Sequence, residues 1–322
     1  MAVLVTGGAG YIGSHTVRQL RARGQEVVVL DSLRTGNRHA IGDAHLVVGS
    51  VTDGALVERT LRQHGVTAVV HFAGLKNPGE SVESAGEYFD VNVTGTVRLA
   101  AAMVAAGVPS IVFSSSCSVY GTPELLPVDE SAPLRPESPY GESKLMAEQA
   151  LRWFGECSGI SWMSLRYFNA SGAATDGSIG EDWSVTRNLI PLAMKAALRE
   201  GPPVKVFGTD YPTPDGTAIR DYVHVDDLAD AHLRALDHLS TGGHSAAVNL
   251  GTGQGSSVRE VLVAVSELSG EPVPAELVRR RPGDPVAVYA DYRAATKLLG
   301  WRPTRGLGDI IASAWRWHSA RA

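Results

Sequence analysis

Ala2-Val3-Leu4-Val5-Thr6-Gly7-Gly8-Ala9-Gly10-Tyr11-Ile12-Gly13 is a short apolar run that passes directly into a glycine-rich turn. Val17 and Leu20 follow at helical spacing, and then a second apolar run, Glu26-Val27-Val28-Val29-Leu30, ends on Asp31. Strand, tight turn, helix and strand in this order predict a dinucleotide site. Glycines permit the turn and let backbone N–H groups approach a pyrophosphate at the helix N-terminus, while an acid at the tip of the second strand is placed to bond a ribose 2′-hydroxyl. A carboxylate at Asp31 would repel a 2′-phosphate, so the expected cofactor is NAD rather than NADP.

Beyond this unit, apolar runs recur at Leu46-Val47-Val48, Thr67 to Phe72, Ser110 to Phe113 and Ile160 to Tyr167, with helical patterns between them. Short buried strands alternating with helices predict an α/β fold with a doubly wound parallel sheet of Rossmann type. Ligands then sit beyond the carboxyl ends of the strands, which directs attention to His71-Phe72-Ala73-Gly74, Ser114-Ser115-Ser116 and Phe168-Asn169. After about residue 170 the composition shifts to Gly, Pro and loops. The expected division is a dinucleotide-binding domain over 1–170 and a smaller substrate-binding domain over 171–322, with segments of the second returning to the core of the first.

Composition narrows the classes. The 322 residues are 44% hydrophobic, enough for a packed core, and 29 Lys and Arg stand against 34 acids without a basic stripe. Nucleic acid is therefore not an expected partner. Two cysteines, Cys117 and Cys157, are too few for a disulfide framework or a zinc cluster, so no metal is expected and a reducing cytoplasm is the expected compartment. No apolar stretch reaches the length of a membrane span and no charged leader precedes the first strand, so neither a membrane nor secretion is expected.

Tyr140 and Lys144, in Ser138-Pro139-Tyr140-Gly141-Glu142-Ser143-Lys144, carry the chemistry. Residues four apart on a helix are neighbours on one face. Moving a phenol from about 10 toward 7 requires roughly 4 kcal/mol, which one cation about 4 Å away at an effective dielectric near 20 supplies. The pair therefore predicts a tyrosine tuned as a base.

These segments together resemble the extended short-chain dehydrogenase/reductase family over essentially the whole length. The resemblance is carried by Gly7 to Gly13, His71 to Lys76, Phe113 to Ser116, Val119-Tyr120-Gly121, the Tyr140/Lys144 pair and Arg166-Tyr167-Phe168-Asn169. The longer run Phe207 to Ala229 is similar to the branch that inverts C4 of UDP-hexoses. The resemblance implies reversible interconversion of UDP-galactose and UDP-glucose through a 4-keto-sugar with tightly held NAD. It implies Tyr140 as base, Ser116 on the same sugar oxygen and Lys144 beside the base and on the nicotinamide ribose. Gly7, Gly10, Tyr11, Ile12, Gly13, Asp31, Ser32, Val51, Phe72, Ala73, Gly74, Lys76, Asn92 and Phe168 would complete the cofactor site. Asn169, Asn188, Leu189, Phe207, Arg220, Arg281 and Asp284 would hold UDP.

There are departures from the family pattern. After Gly49 the family usually has an Asp before a β-branched residue, whereas Ser50-Val51 stand here, so a weaker contact to adenine is expected. Val288 falls where the family flanks the sugar's 2′ substituent, and its small side chain leads to the expectation that N-acetylated UDP-sugars are admitted as well. Cys117-Ser118 replace the Asp-Glu pair that a nucleotide-sugar 4,6-dehydratase needs. An epimerase of UDP-glucuronate or purely of N-acetylated sugars would share the catalytic residues, and a cofactor-binding regulator would not need them. His71, His224 and Cys117 are read as structural. Family members use apolar residues near 92–106 and 141–154 for a dimer, so the resemblance implies a homodimer, although the same residues would also serve core packing.

Overall fold

The computed structural model describes residues 2–184, 186–281 and 284–321. Pro282 and Gly283, the middle of the Arg-x-Gly-Asp segment, lie outside the described residues. Seven strands form the main sheet: β1 (Ala2–Thr6), β2 (Glu26–Asp31), β3 (His45–Val48), β4 (Val66–His71), β5 (Ser110–Ser114), β6 (Ser161–Tyr167) and β11 (Ala246–Leu250). The smaller pairings use β7 (Asn169–Ser171), β8 (Val204–Phe207), β9 (Ile219–Arg220), β10 (Tyr222–His224), β12 (Ser256–Ser257), β13 (Ala275–Val278) and β14 (Ala287–Val288). Helices are α1 (Tyr11–Ala22), α2 (Gly54–Gln63), α3 (Pro78–Glu83), α4 (Ala85–Tyr88), α5 (Gly95–Ala106), α6 (Pro139–Ser158), α7 (Leu189–Ala197), α8 (Val225–Ser240), α9 (Val258–Ser269), α10 (Arg293–Leu299) and α11 (Leu307–Ser319).

The large sheet runs β11-β6-β5-β4-β1-β2-β3 and every pairing in it is parallel. Parallel strands must be covered on both faces. Val17 and Leu20 of α1 with Leu228, Leu233 and Leu236 of α8 cover one face. Val57 and Leu61 of α2, Leu99 and Met103 of α5 and Leu151 of α6 cover the other. The strand order reverses between β1 and β4, so a crevice opens outside their carboxyl ends. A third core of Ile190, Met194, Val261, Val265, Ile310 and Ile311 unites α7, α9 and α11 beside that crevice.

The expected α/β doubly wound sheet is therefore present. The last strand, β11, was not read in the sequence. It comes from the second half of the chain, pairs with β6 in register Ala246 to Met163 and extends the sheet at that edge.

Candidate active site

The glycine turn closes on itself by close backbone approach. Gly7 has φ +70°, and a Cβ on it would lie 2.5 Å from the Ala73 nitrogen. A Cβ on Gly13 would lie 2.3 Å from the Gly7 carbonyl oxygen. Helix α1 starts at Gly10 with no side-chain cap and no acid in its first turn, which leaves a helix N-terminus suited to an anion. Asp31 is buried at the end of β2, where its carboxylate accepts from Ala9 N–H (2.9 Å) and Leu33 N–H (2.8 Å). The cradle and the fixed carboxylate fit a dinucleotide. Tyr11 turns its hydroxyl away, donating it to the Gly172 carbonyl (2.6 Å). Ser50 bonds the Thr52 hydroxyl at 2.8 Å.

Helix α6 is started by Ser138, whose hydroxyl accepts from Gly141 N–H, and by Pro139 at its first position. Tyr140, Lys144 and Glu148 then succeed one another every fourth residue on its buried face. Ser116 ends the segment that follows β5 and accepts from Ser118 N–H at 3.1 Å. Its hydroxyl also hydrogen-bonds the Tyr140 phenol. Lys144 Nζ donates to the Ser114 carbonyl at 2.9 Å and stands 4.9 Å from the Phe113 ring centroid.

The surroundings of the pair act on both groups through burial. Burial pushes the Tyr140 phenol above its ordinary value, nearby Tyr167 adds to the rise, and the Ser116 hydrogen bond opposes it. The ammonium is engaged by the strand-end carbonyl and lies near the Phe113 ring. Burial pulls Lys144 itself down to about 8, against the favourable charge of Glu148. Burial is therefore the largest influence on the phenol, and the charge of the adjacent ammonium has to work against it.

Both ends of the crevice belong to one cavity of about 1270 Å³. Around the glycine turn it is lined by Gly7, Gly10, Tyr11, Ile12, Gly13, Asp31, Ser32 and Val51, and along β4's tail by Phe72, Ala73, Gly74 and Lys76. Ser116, Tyr140, Lys144 and Phe168 line its middle. Asn169, Asn188, Leu189, Phe207, Arg220, Arg281 and Asp284 line the far end. There the Arg281 guanidinium stacks 3.6 Å from the Phe207 ring centroid, and Arg220 Nη2 donates to Asp284 Oδ1 at 3.1 Å.

Two sequence-derived site residues fall outside this lining. Asn92 is buried with its amide fully used, accepting from Leu75 N–H (2.8 Å) and donating to the Leu75 carbonyl (3.1 Å) and the Ser143 hydroxyl (2.9 Å). It fastens β4's tail to α6 instead of facing the cavity. Val288 is 6% exposed and packs into the core beneath the main sheet, in register with Arg220 on β9. Val288 is thus placed beside Arg220, which lines the cavity, without lining it itself.

His71 bridges the Thr6 and Thr96 hydroxyls (2.6 and 3.0 Å), and His224 caps α8 by accepting from Asp226 N–H (3.1 Å). Burial lowers them to about 3 and about 4, so both are neutral structural groups. Burial raises the Cys117 thiol to about 12, which makes it inert as a nucleophile.

Sequence reasoning missed Glu181 and Tyr167. Glu181 Oε1 accepts from Asn188 Nδ2 (2.8 Å) and Thr186 Oγ1 (2.9 Å) and pairs with Lys76 (3.4 Å), joining the two ends of the cavity. Tyr167 bonds the Ser114 hydroxyl at 2.7 Å and lines the cavity next to Tyr140. Tyr167 stood in the motif Arg166-Tyr167-Phe168-Asn169, whereas no local pattern marks Glu181, whose partner Lys76 is distant in the chain.

A model of the NAD dependent epimerase/dehydratase family matches residues 3–251. The chain is 46% identical over 319 residues to the UDP-glucose 4-epimerase of Rhizobium meliloti (strain 1021), covering 99% of this chain and 97% of that one. Among solved structures, UDP-glucose 4-epimerase from Brucella ovis in complex with NAD superposes with a TM-score of 0.96 at 44% identity, covering 98% of this chain and 97% of that one. The enzyme of the same name from Bifidobacterium longum, in complex with NAD+ and UDP, gives 0.94 at 40% identity, covering 100% and 99%.

Proposed function

Because the chain belongs to the NAD dependent epimerase/dehydratase family and, within it, to the UDP-glucose 4-epimerases, we propose that its cavity carries out the C4 epimerisation of that group with the residues assigned below. The protein is an enzyme that reversibly interconverts UDP-galactose and UDP-glucose through a 4-keto-sugar, with NAD as cofactor. The observation that carries the assignment is the convergence of Ser116, Tyr140 and Lys144 in the middle of one cavity, between a dinucleotide cradle and an arginine-rich end.

Gly7, Gly10, Ile12 and Gly13 give the pyrophosphate of the cofactor its backbone cradle, Asp31 takes the adenosine ribose hydroxyls, and Ser32 and Val51 flank the adenosine. Phe72, Ala73, Gly74 and Phe168 wall the nicotinamide end, and Lys76 meets the cofactor's phosphates. When bound, NAD supplies the acceptor and donor of the C4 hydride and a cationic nicotinamide ring. Tyr140 takes the proton of the sugar 4′-hydroxyl as a phenolate, and Ser116 hydrogen-bonds the same oxygen and steadies the proton in transit. Since burial holds the phenol proton tightly, the working phenolate depends on positive charge in the site, to which Lys144 contributes.

Arg220 and Arg281 hold the diphosphate, Phe207 and Leu189 give uracil an apolar seat, and Asn169, Asn188 and Asp284 fix the nucleotide's polar edges. Strong grip on UDP with weak grip on the hexose lets the 4-keto-sugar turn its opposite face before the hydride returns. Rates of the purified protein on UDP-galactose, UDP-glucose, UDP-N-acetylglucosamine and UDP-glucuronate test the reading. UDP-galactose turning over fastest supports it, and preference for UDP-glucuronate contradicts it.

We place the enzyme in the cytoplasm as a homodimer. Two unpaired cysteines fit a reducing compartment, and none of the described helices is long and apolar enough to cross a membrane. Val97 and Val104 on α5 and Met146 and Trp153 on α6 are exposed apolar side chains on two neighbouring helices, a surface suited to a second copy. The division at residue 170 is likewise a reading: α7, α9 and α11 surround the nucleotide-sugar end, while α8 and β11 serve the main sheet.

A further inference from the structure

Beneath the catalytic face lies an ion pair that the reaction does not use. Glu148, one turn beyond Lys144 on α6, and Arg166 on β6 each keep only 6% of their side chain exposed. Arg166 grips the carboxylate with Nε to Oε1 at 2.9 Å and Nη2 to Oε2 at 2.6 Å. The Ser115 hydroxyl, adjacent to Ser116, donates to the same Oε1 at 2.5 Å. Arg166 Nη1 donates to the Tyr120 hydroxyl (3.0 Å), which passes the chain on to Asn249 Oδ1 of β11 (2.7 Å). An ion pair buried this deeply is weak evidence for stability, because desolvation offsets its attraction and an apolar pair of similar volume often does as well. Its place in the fold therefore calls for another reason.

We propose that Glu148 is a positioning residue for both halves of the catalytic centre, fastening the segment that carries Ser116 to the helix that carries Tyr140 and Lys144 and setting a negative charge against the Lys144 ammonium. This role rests on the reading of Ser116, Tyr140 and Lys144 as the catalytic groups. Lys144 is faced on its own helix by Tyr140 and Glu148, from β5 by the Ser114 carbonyl and the Phe113 ring, and from β4 by His71. His71 is neutral, and Glu148 is the carboxylate whose charge opposes the effect of burial on Lys144. Arg166 compensates the carboxylate and fixes its direction.

The test is Glu148→Gln in the full-length protein with its cofactor, an exchange that keeps the shape and removes the charge. Lys144 then loses its proton at lower pH, so the alkaline limb of kcat should move acidward by about one unit. Loosened placement of Ser116 should lower kcat by about 10²-fold, with KM for UDP-galactose held within about twofold. Because Glu148→Gln strands a buried guanidinium, Glu148→Gln/Arg166→Met provides a neutral pair and should show the same acidward limb with a melting temperature near that of the parent. An unmoved limb with kcat intact in either folded variant would overturn the role, as would a rise in KM alone. Tyr140→Phe in parallel separates the two levels. If it stays active, the reading of the centre fails; if it is inactive while Glu148→Gln keeps the parent's pH profile, only the positioning role fails.

Discussion

Tyr140 and Lys144 share a helical face, yet the fold treats them differently. The phenol is held in its neutral form by burial, and the ammonium is spent on the Ser114 carbonyl. Tyr140→Phe removes the proton acceptor but keeps the ring that packs edge-on against Tyr88. Turnover should fall by about 10²- to 10⁴-fold while cofactor content, read by extraction, is unchanged. Near-parental turnover would refute the base. Lys144→Ala removes a cation from the site, so the acidic limb of the rate should move to higher pH as the rate drops, and an unmoved acidic limb in a pH series would deny Lys144 its electrostatic part. At this scale the sequence placed Asp31 and Ser116 at strand ends, and both line the cavity there. Asn92 and Val288 stand outside the cavity lining, because the family position says where a residue sits along the chain and not whether its side chain faces the cavity or the core.

Among the elements, the turn between β1 and α1 tolerates little change, since a Cβ on Gly13 would meet the Gly7 carbonyl and the Gly8 Cα with no side chain to yield. Gly13→Ala should cost about 1–3 kcal/mol as overpacking and should release NAD, visible together as a lower melting temperature and a lower ratio of cofactor to protein absorbance. A variant that retains both would remove the turn from the cofactor site. β1 to β6 were legible as short apolar runs between helical patterns, and α6 was legible from the helical spacing of Tyr140 and Lys144. β11 was not, because Ala246-Ala247-Val248-Asn249-Leu250 is short and interrupted by Asn249. That polar residue makes sense only in three dimensions, where its amide joins Tyr120 to the Val128 carbonyl. The link that Glu181 makes between the ends of the cavity is equally non-local.

The whole molecule carries an acid liability. His71, His224, His232 and His318 are all buried, and burial lowers them to about 3, 4, 4 and 4. Each takes a proton in the unfolded chain near pH 6.5 but resists it in the fold, so their stability contribution is complete above that pH and is lost progressively as pH falls toward 4. The loss at pH 5 is about 2 kcal/mol for each histidine. The melting temperature should therefore be clearly lower at pH 5 than at pH 7.5, and an unchanged value would mean that these histidines are solvated in the fold. For the assembly, Trp153→Glu with Val104→Lys should shift sedimentation from two copies to one without altering the cofactor content, and a parental profile would place any dimer contact elsewhere. The central claim is that one cavity holds the cofactor through the cycle and returns to each sugar the hydrogen it gave. UDP-galactose deuterated at C4, given to the purified protein without added NAD, tests it most directly. The account predicts UDP-glucose with the deuterium still at C4, whereas no conversion until NAD is added, or product that has lost its label, would contradict it.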